Sequence, residues 1–246
     1  MLRQLQVAGL LLTLCALALS GCGGHSARQE RQRAGHAAAP AGSSSSGPVL
    51  STGHVRASLL PAREVAPDVQ PRALTFPGLT RAAVPGCSAS AISLPGQPET
   101  IGRQLEASPR GYGGTHYIQL IAVYPDTPAA SRAIAKVRAA AAACPARRHF
   151  PARRLGRRRF AVEHTDTWTV TEDTVAGWSH VRGFEKHVDP PSTSRLNVFC
   201  DVYDYAARGN ILVATLYWER VKPTTPLQPI AGNATAVLTR QLQKIG

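Results

Sequence analysis

Apolar residues recur at two different spacings along this chain, and the order of the spacings limits the folds open to it. After Thr127 they recur at steps of three and four as far as Cys144, which predicts an amphipathic helix that Pro145 ends. The same spacing returns from Ile230 to Ile245 and predicts a closing helix. Between these helices the apolar residues alternate, which predicts strands. This order predicts an α+β domain in which helices pack on a mostly antiparallel sheet.

The alternating stretches give the bounds of the predicted strands. Residues 115–124 are apolar on both faces, so they predict a central strand covered on two sides. Residues 58–65 predict a short opening helix with Pro61 in its first turn, and a proline- and glycine-rich loop follows to about Gly114. A hairpin turn is predicted at residues 206–209. The remaining predicted strands cover residues 159–164, 167–171, 175–184, 196–205 and 211–218.

The N-terminus carries an export signal. Arg3 precedes an apolar run from Val7 to Leu19 that is too short to cross a bilayer. The run ends in Leu19-Ser20-Gly21-Cys22, which resembles the lipobox of bacterial lipoproteins, in which the cysteine receives a diacylglycerol before cleavage. An ordinary signal peptide or a membrane anchor with an incidental cysteine is the alternative.

Three segments follow from this interpretation. We predict a lipoprotein signal peptide over residues 1–21 and a lipidated Cys22, which holds the mature chain on the outer face of the cytoplasmic membrane. Residues 22–56 are rich in Gly, Ala and Ser and predict a flexible linker. One folded domain is predicted over residues 57–246.

The cysteines outside the signal peptide divide into an anchor and a domain set. Cys22 is assigned to the lipid, and Cys87, Cys144 and Cys200 remain in the domain. An oxidising location permits a disulfide, so one pair and one free thiol are expected. The spacing of the three does not decide which two pair. Cys200 alternates with apolar residues on its predicted strand, which favours a buried thiol.

The chain is strongly basic, with a formal net charge of +13. Seven of its arginines lie within residues 147–159, which we call the arginine segment. A run of like charges such as this one is typical of a solvated loop. The alternative is a patch that binds cell-wall polyanions or anionic lipid headgroups. Only Phe150 and Phe160 interleave the run, so stacking on nucleobases has little support and no nucleic-acid partner is expected. Its arginines are Arg147, Arg148, Arg153, Arg154, Arg157, Arg158 and Arg159.

No motif with an established catalytic or metal-binding chemistry occurs in the sequence. The segment Gly177-Trp178-Ser179-His180-Val181 comes nearest to a nucleophile elbow, but it lacks the second glycine and lies in a strand pattern. His164 with Asp166, and His187 with Asp189, are interpreted as surface pairs. The sequence therefore predicts no catalytic residue, no metal and no cofactor.

Four short motifs accompany the predicted final hairpin and helix of the domain: Leu59-Leu60-Pro61, Gly86-Cys87, Tyr124-Pro125-Asp126 and Ala143-Cys144-Pro145. In these features the chain, from Ser58 to Ile245, resembles the PknH-like extracellular sensor domain, which occurs on some mycobacterial Ser/Thr kinases and in many actinobacterial lipoproteins. None of the shared features is a catalytic signature.

The resemblance implies a role for each cysteine of the domain. Members of the family can carry four cysteines, and by position Cys87 would pair with Cys144 while Cys200 matches the third. The fourth position falls near Trp218, so the second bridge is missing. Packing of Trp218 near Cys200 would then replace it and leave a free core thiol.

The resemblance also implies a function. It predicts a non-enzymatic sensing or binding module that recognises a small envelope ligand or a partner protein. A cell-envelope hydrolase or modifying enzyme with an unrecognised site is the alternative. A cavity in which His180, Glu185 and Asp201 converge would favour that alternative. A third hypothesis is binding of polyanions through the arginine segment.

Overall fold

The computed structural model describes residues 49–107, 114–154, 156 and 160–246. Cys22, the predicted signal peptide and most of the predicted linker lie outside these residues, as do Arg157, Arg158 and Arg159. The helices are α1 (Thr52–Ala57), α2 (Ala62–Val65), α3 (Thr127–Ala142) and α4 (Gln228–Ile245). The strands are β1 (Val69–Arg72), β2 (Ala83–Gly86), β3 (Ser90–Ser93), β4 (Glu99–Ala107), β5 (His116–Val123), β6 (Arg147–Phe150), β7 (Arg153–Arg154), β8 (Phe160–Ala161), β9 (His164–Val175), β10 (Trp178–Val188), β11 (Val198–Arg208) and β12 (Ile211–Val221).

Eight of these strands form one sheet, in the order β1-β4-β5-β12-β11-β10-β9-β6. Every neighbouring pair in it is antiparallel. β5 lies inside the sheet, and its residues from Tyr117 to Val123 are buried on both faces. The predicted central strand is therefore confirmed. β2 pairs with β3 in a separate ribbon, and β7 pairs with β8.

Helices cover both faces of the sheet. On one face, which we call the α3 face, α3 and the β2–β3 ribbon pack against strand residues that include Val181, Tyr203 and Leu212. On the opposite α4 face, α1, α2 and α4 pack against the alternate strand residues, among them Val202 and Val213. The prediction of an α+β fold with helices on a mostly antiparallel sheet is confirmed.

Two long hairpins form half of the sheet. Gly209 and Asn210 join β11 to β12, which confirms the predicted hairpin but shortens its turn, because β11 continues to Arg208. Ala176 and Gly177 join β9 to β10, with φ of 51° and 80°. Two successive residues with positive φ suit a tight hairpin turn, and glycine adopts that conformation at little cost. This turn is not among the predicted ones, and Val175 ends β9 rather than beginning the following strand as predicted.

Of the opening helix predicted over residues 58–65, only the second half is helical, as α2. Two short helices, α1 and α2, lie on either side of Leu60-Pro61, because a proline disfavours helical backbone at the preceding residue. α1 begins at Thr52, inside the predicted linker, and its Val55 is fully buried. The folded part of the chain therefore begins before residue 57.

The long loop predicted before the central strand contains a nine-residue strand, β4. β4 pairs with β5 from Glu99, opposite Val123, to Glu106, opposite His116. Its buried positions include the polar Gln104, whose amide hydrogen-bonds Thr75 and Glu106. Polar residues at buried positions remove the apolar alternation by which a strand is recognised in a sequence.

The helix predicted after Thr127 is confirmed. Asp126 caps it, because the Asp126 side chain accepts a hydrogen bond of 2.7 Å from the Ala129 amide. α3 ends at Ala142, so Cys144 lies two residues beyond the helix and is half-buried. Among the described residues, no helix is both long enough and apolar enough to cross a membrane.

Cys87 and Cys144 form a disulfide that joins the turn of the β2–β3 ribbon to the end of α3. Cys200 is free and fully buried. Both observations agree with the pairing implied by the family resemblance. The implied packing of Trp218 near Cys200 is wrong: Cys200 lies on the α4 face opposite Glu219, whereas Trp218 pairs with Asp201 and points to the α3 face.

Candidate functional site

A cavity of about 630 Å³ opens on the α3 face, between the turn of the β2–β3 ribbon and the strands of the sheet. Side chains from β5, β9, β10, β11 and β12 form its floor. Its apolar residues include Phe76, Ile118, Phe150, Phe199, Leu216 and Trp218, and its polar residues include Ser88, Arg153, His164, Asp166, Glu185, His187, Asp201 and Tyr203.

A row of aromatic rings forms one wall of the cavity. His164 stacks on Phe150 with ring centroids 4.6 Å apart and lies 4.2 Å from the His187 ring. Phe199 meets His187 edge-on at 4.9 Å and lies 6.0 Å from Trp218. Aromatic side chains offer large apolar surfaces with little rotamer freedom to lose. The row therefore presents a stiff surface to a ligand.

Two carboxyl groups meet at Ser88, in the turn of the ribbon. The Ser88 hydroxyl donates to Asp166 Oδ2 at 2.5 Å and to Glu185 Oε1 at 3.2 Å, and its amide donates to both Glu185 oxygens at 3.0 and 2.9 Å. The Tyr203 hydroxyl also donates to Glu185, at 2.8 Å. Ser88 has φ 52° and ψ 39°, a left-handed conformation that costs free energy outside glycine. These hydrogen bonds hold it there.

The carboxyl groups of the cavity differ in their protonation. Burial raises the pKa of Glu185 to about 7 and that of Asp201 to about 8, and the neighbouring acidic groups reinforce both shifts. Burial acts in the same direction on Asp166, but contacts with His187 and Ser88 outweigh it and lower the Asp166 pKa. At neutral pH the cavity therefore holds Asp166 as a carboxylate and Asp201 mainly as the protonated acid, with Glu185 near the midpoint of its titration.

Two histidines lie beside Asp166. His187 Nδ1 lies 2.8 Å from Asp166 Oδ1, and His187 Nε2 lies 3.0 Å from Asp189 Oδ1. Burial lowers the pKa of His187, but these two carboxylates outweigh burial and raise it. His164 Nε2 lies 4.0 Å from Asp166 Oδ1. The side chains of His164, Asp166 and His187 are 20%, 6% and 23% exposed, so their interpretation as surface residues is wrong.

The register of the β9–β10 hairpin brings these side chains together. His187 pairs with Asp166, and His164 precedes Asp166 by two residues, so all three point to the same face. Phe150 pairs with His164 across the neighbouring strand β6. The sequence contained the signal for this cluster, because counting outward from the turn at Ala176-Gly177 places residue 187 opposite residue 166. The signal was missed because the turn was not recognised.

The convergence of His180, Glu185 and Asp201 in a cavity would favour an enzyme. Glu185 and Asp201 line the cavity, and His180 does not. Glu185 and Asp201 lie opposite each other on β10 and β11. His180 lies on the α4 face, where its ring nitrogens contact Asp173 at 2.6 Å and Asp204 at 3.0 Å. Neither contact connects it with the cavity.

The described part of the arginine segment is not a loop. Arg147 and Arg148 lie on β6, at the edge of the sheet, and Arg153 and Arg154 form β7. All four are exposed, and Arg153 is the one of these four that lines the cavity. Binding of polyanions by this segment stays a prediction.

One set of side chains in the cavity could hold a metal ion. His164, Asp166 and His187 each offer a ligand atom, and the three atoms lie within 4.8 Å of one another. Imidazole nitrogen and carboxylate oxygen are the ligands of many transition-metal sites. Within the described ranges no other group of His, Cys, Asp and Glu meets the same distance criterion.

No protein-family model and no curated protein matches the chain. Its structure is similar to the extracellular domain of PknH from Mycobacterium tuberculosis. The two are 11% identical, the match covers 79% of this chain and 98% of that chain, and the TM-score is 0.47. A Mycobacterium smegmatis protein described as an Rv0999 ortholog is also similar, with 9% identity, 60% of this chain and 67% of that chain covered, and a TM-score of 0.30.

These similarities agree with the resemblance to the PknH-like extracellular domain that was read from the sequence. Both TM-scores lie below 0.5. The fold and the function of this chain are therefore assigned from its own residues and geometry.

Proposed function

We propose that the chain is an extracytoplasmic lipoprotein whose folded domain binds a small ligand in the α3-face cavity without converting it. The cavity carries this proposal. Its volume of about 630 Å³ lies in the range of small-molecule sites, and it combines apolar walls with a few convergent polar groups. Such a cavity suits a ligand that has an apolar body and a polar end.

Two features support a location outside the cytoplasm. The segment Leu19-Ser20-Gly21-Cys22 has the pattern of a lipobox. The bond between Cys87 and Cys144 belongs to an oxidising compartment, because cytosolic thiols are kept reduced. Lipid attachment at Cys22 would then hold the domain at the outer face of the membrane, where it could meet an envelope ligand or a partner protein.

The contacts of Ser88 favour binding over turnover. A serine nucleophile needs a base that takes its proton and free donors that stabilise the oxyanion. The Ser88 hydroxyl instead donates to Asp166 and Glu185, and its amide is occupied by Glu185. Both ring nitrogens of the nearby His187 face carboxylates. These groups hold one another in place rather than activate the hydroxyl.

Binding of a panel of small aromatic amines, alcohols and carboxylates to the full chain tests the proposal. Ile118→Phe fills the apolar part of the cavity, and Val170→Phe enlarges an exposed position on β9 as the matched control. We expect calorimetric titration to show at least one panel member that binds the wild type. Its affinity should be about tenfold weaker, or about 1.4 kcal/mol, for the Ile118 variant and unchanged for the control. Failure of every panel member to bind the wild type, or equal affinity for the two variants, would contradict the proposal.

A hydrolase is the second candidate, and one observation favours it. The strained Ser88 places its hydroxyl against two carboxyl groups, one of which, Glu185, has a pKa raised to about 7 by burial. Ser179, the serine of the nucleophile-elbow comparison, lies inside β10 instead. Labelling the full chain with a fluorophosphonate decides the matter. We expect no label; a label that disappears in Ser88→Ala would establish the hydrolase.

A further inference from the structure

We infer that His164, Asp166 and His187 bind one divalent transition-metal ion of the zinc class at the polar end of the cavity. The inference rests on the proposed function, because it assigns a ligand to part of the proposed binding cavity. Three neighbouring strand positions on one face supply the ligand atoms, which all lie within 4.8 Å of one another. Strands hold such side chains more firmly than loops do.

The Asp166 oxygen that faces the histidines, Oδ1, accepts no hydrogen bond. Asp166 is 6% exposed, and its Oδ1 is buried without a hydrogen-bond partner. His187 Nδ1 lies 2.8 Å away, but the angles are not those of a hydrogen bond. A buried charged acceptor that makes no hydrogen bond is costly, and buried charges are normally hydrogen-bonded or coordinate a metal. Two ligand atoms that converge without hydrogen-bond geometry suit a shared ion.

Each ligand is oriented by an outer partner. His164 Nδ1 lies 2.8 Å from the carbonyl oxygen of Val162, which can only accept, so Nδ1 carries the hydrogen and Nε2 is left with its lone pair. His187 Nε2 lies 3.0 Å from Asp189, so the metal-binding nitrogen would be Nδ1. A histidine that donates its other N–H to a carbonyl or carboxylate is the usual arrangement at metal sites.

The third ligand is held in the same way. The Ser88 hydroxyl donates to Asp166 Oδ2 at 2.5 Å and leaves Oδ1 for the ion. Asp189 is itself held by Arg220, whose Nη2 lies 3.4 Å from Asp189 Oδ2. Three protein ligands leave a fourth position of a tetrahedral ion for water or for a donor atom of a ligand. Because all three residues line the cavity, that position faces the cavity.

The donor set determines the class of ion. Two imidazole nitrogens and one carboxylate suit Zn²⁺, Co²⁺, Ni²⁺ or Fe²⁺, whereas Mg²⁺ and Ca²⁺ prefer oxygen ligands throughout. In the competing arrangement His187 carries a proton on both ring nitrogens, and the imidazolium forms ion pairs with Asp166 and Asp189 instead of binding a metal. The two arrangements are distinguished by whether the cluster binds one Zn²⁺ ion per chain.

Titration of the full chain with Zn²⁺, without an added polyhistidine tag, tests the inference. The variants are His164→Gln and His187→Gln, which remove a ligand, and Asp189→Asn, which removes an outer partner. The control is His149→Gln, an exposed histidine on β6 outside the cluster. We expect one tight site in the wild type, its loss in the ligand variants, affinity about 10–100-fold weaker in Asp189→Asn, and no change in the control.

Co²⁺ supplies a second readout, because its visible absorption reports coordination by nitrogen in a four-coordinate site. We expect this absorption in the wild type and in His149→Gln, and its absence in His164→Gln and His187→Gln. Thermal unfolding of each variant in the absence of metal shows whether it folds. If His187→Gln does not fold, His164→Gln decides the result, since His164 is bonded to its own strand end rather than to the carboxylate network.

No stoichiometric Zn²⁺ site in the wild type, or an affinity that the two ligand variants leave unchanged, would overturn the inference. The organic panel is measured on the same wild-type protein. Binding of a panel member without Zn²⁺ binding overturns the metal site and leaves the proposed function standing, whereas binding of neither overturns both.

Discussion

Asp204 is fully buried on the α4 face and keeps its charge through two neighbours. Arg182 donates to both of its oxygens, at 2.6 and 2.9 Å, and His180 Nε2 lies 3.0 Å away. Burial raises the pKa of Asp204, but these partners outweigh burial and lower it. Burial lowers the pKa of His180, but Asp204 and the exposed Asp173 outweigh burial and raise it. The contacts of His180 and Arg182 with Asp204 therefore join β10 to β11 through side chains.

The His180 contribution to stability should depend on pH. A raised folded-state pKa stabilises the protein below the ordinary value of 6.5, and this contribution is lost as the pH rises through the folded-state pKa. Asp204, with a lowered pKa, acts in the opposite range and loses its contribution as the pH falls through the folded-state value. His180→Gln should lower the free energy of unfolding by about 1–3 kcal/mol at mildly acidic pH and remove part of the alkaline loss.

Denaturant unfolding of wild type and His180→Gln from mildly acidic to alkaline pH measures this difference. His187 is present in both proteins, so the comparison isolates His180. Parallel curves for the two proteins across the alkaline range would show that His180 is not protonated in the fold.

Gly183 on β10 makes room for an aromatic ring. A methyl group at this position would overlap the ring of Trp168, which is buried and held by a 3.0 Å hydrogen bond from its Nε1 to the Ala141 carbonyl. Gly183→Ala should therefore destabilise the domain by about 1–3 kcal/mol through overpacking. The matched control is Gly232→Ala on α4, where nothing lies within 4 Å and alanine is the better helix former. Thermal unfolding should separate the two, and equal melting temperatures would contradict this packing.

At the scale of elements, the sequence predicted best where one periodicity was unbroken. The helix after Thr127 and the strand before it were predicted nearly to their ends, because all of their buried residues except Gln119 are apolar. β4 was missed because buried Gln104 interrupts the apolar pattern and its neighbour Arg103 donates to Gln119 across the sheet. The β9–β10 turn was missed because Ala176 occupies its first position, where such turns typically have Asn or Asp before the glycine. In both cases the element depends on polar contacts or on backbone conformation, which the apolar pattern of a sequence does not report.

The described arginines of the arginine segment are exposed and lie on β6, at the edge of the eight-stranded sheet, and on β7, which pairs separately with β8. Arg148 also stacks over the Phe150 ring, 4.5 Å from its centroid. If this edge binds polyanions, Arg147→Gln with Arg148→Gln should weaken binding of polyphosphate to the full chain, and raised salt should weaken it further. Arg81→Gln with Arg132→Gln removes the same charge elsewhere and should have a smaller effect. Salt-insensitive binding, or equal loss in both double variants, would dismiss the edge as a polyanion site.

At the scale of the molecule, helices cover the middle strands of the sheet on both faces, and the cavity opens on the α3 face beside the β2–β3 ribbon. The sequence predicted the layers and, through its family resemblance, the disulfide, and it offered Glu185 and Asp201 as residues that a cavity would bring together under the enzyme hypothesis. It could not predict the cavity, because that depends on how the ribbon meets five strands. Cys87–Cys144 fastens this ribbon to α3, and Ser88 beside it reaches the carboxyl groups. The position of the ribbon thus determines the site.

The indole N–H signals of the tryptophans provide the most direct test of whether the cavity binds ligands. Trp218 lines the cavity, whereas Trp178 is buried on the α4 face and serves as an internal control. Titration of the ¹⁵N-labelled full chain with a panel member that binds, followed by ¹H–¹⁵N NMR, should shift the Trp218 indole signal in a saturable way. The Trp178 signal should stay in place. A saturable shift of Trp178 alone, or no shift of either signal at saturation, would contradict a ligand-binding role for this cavity.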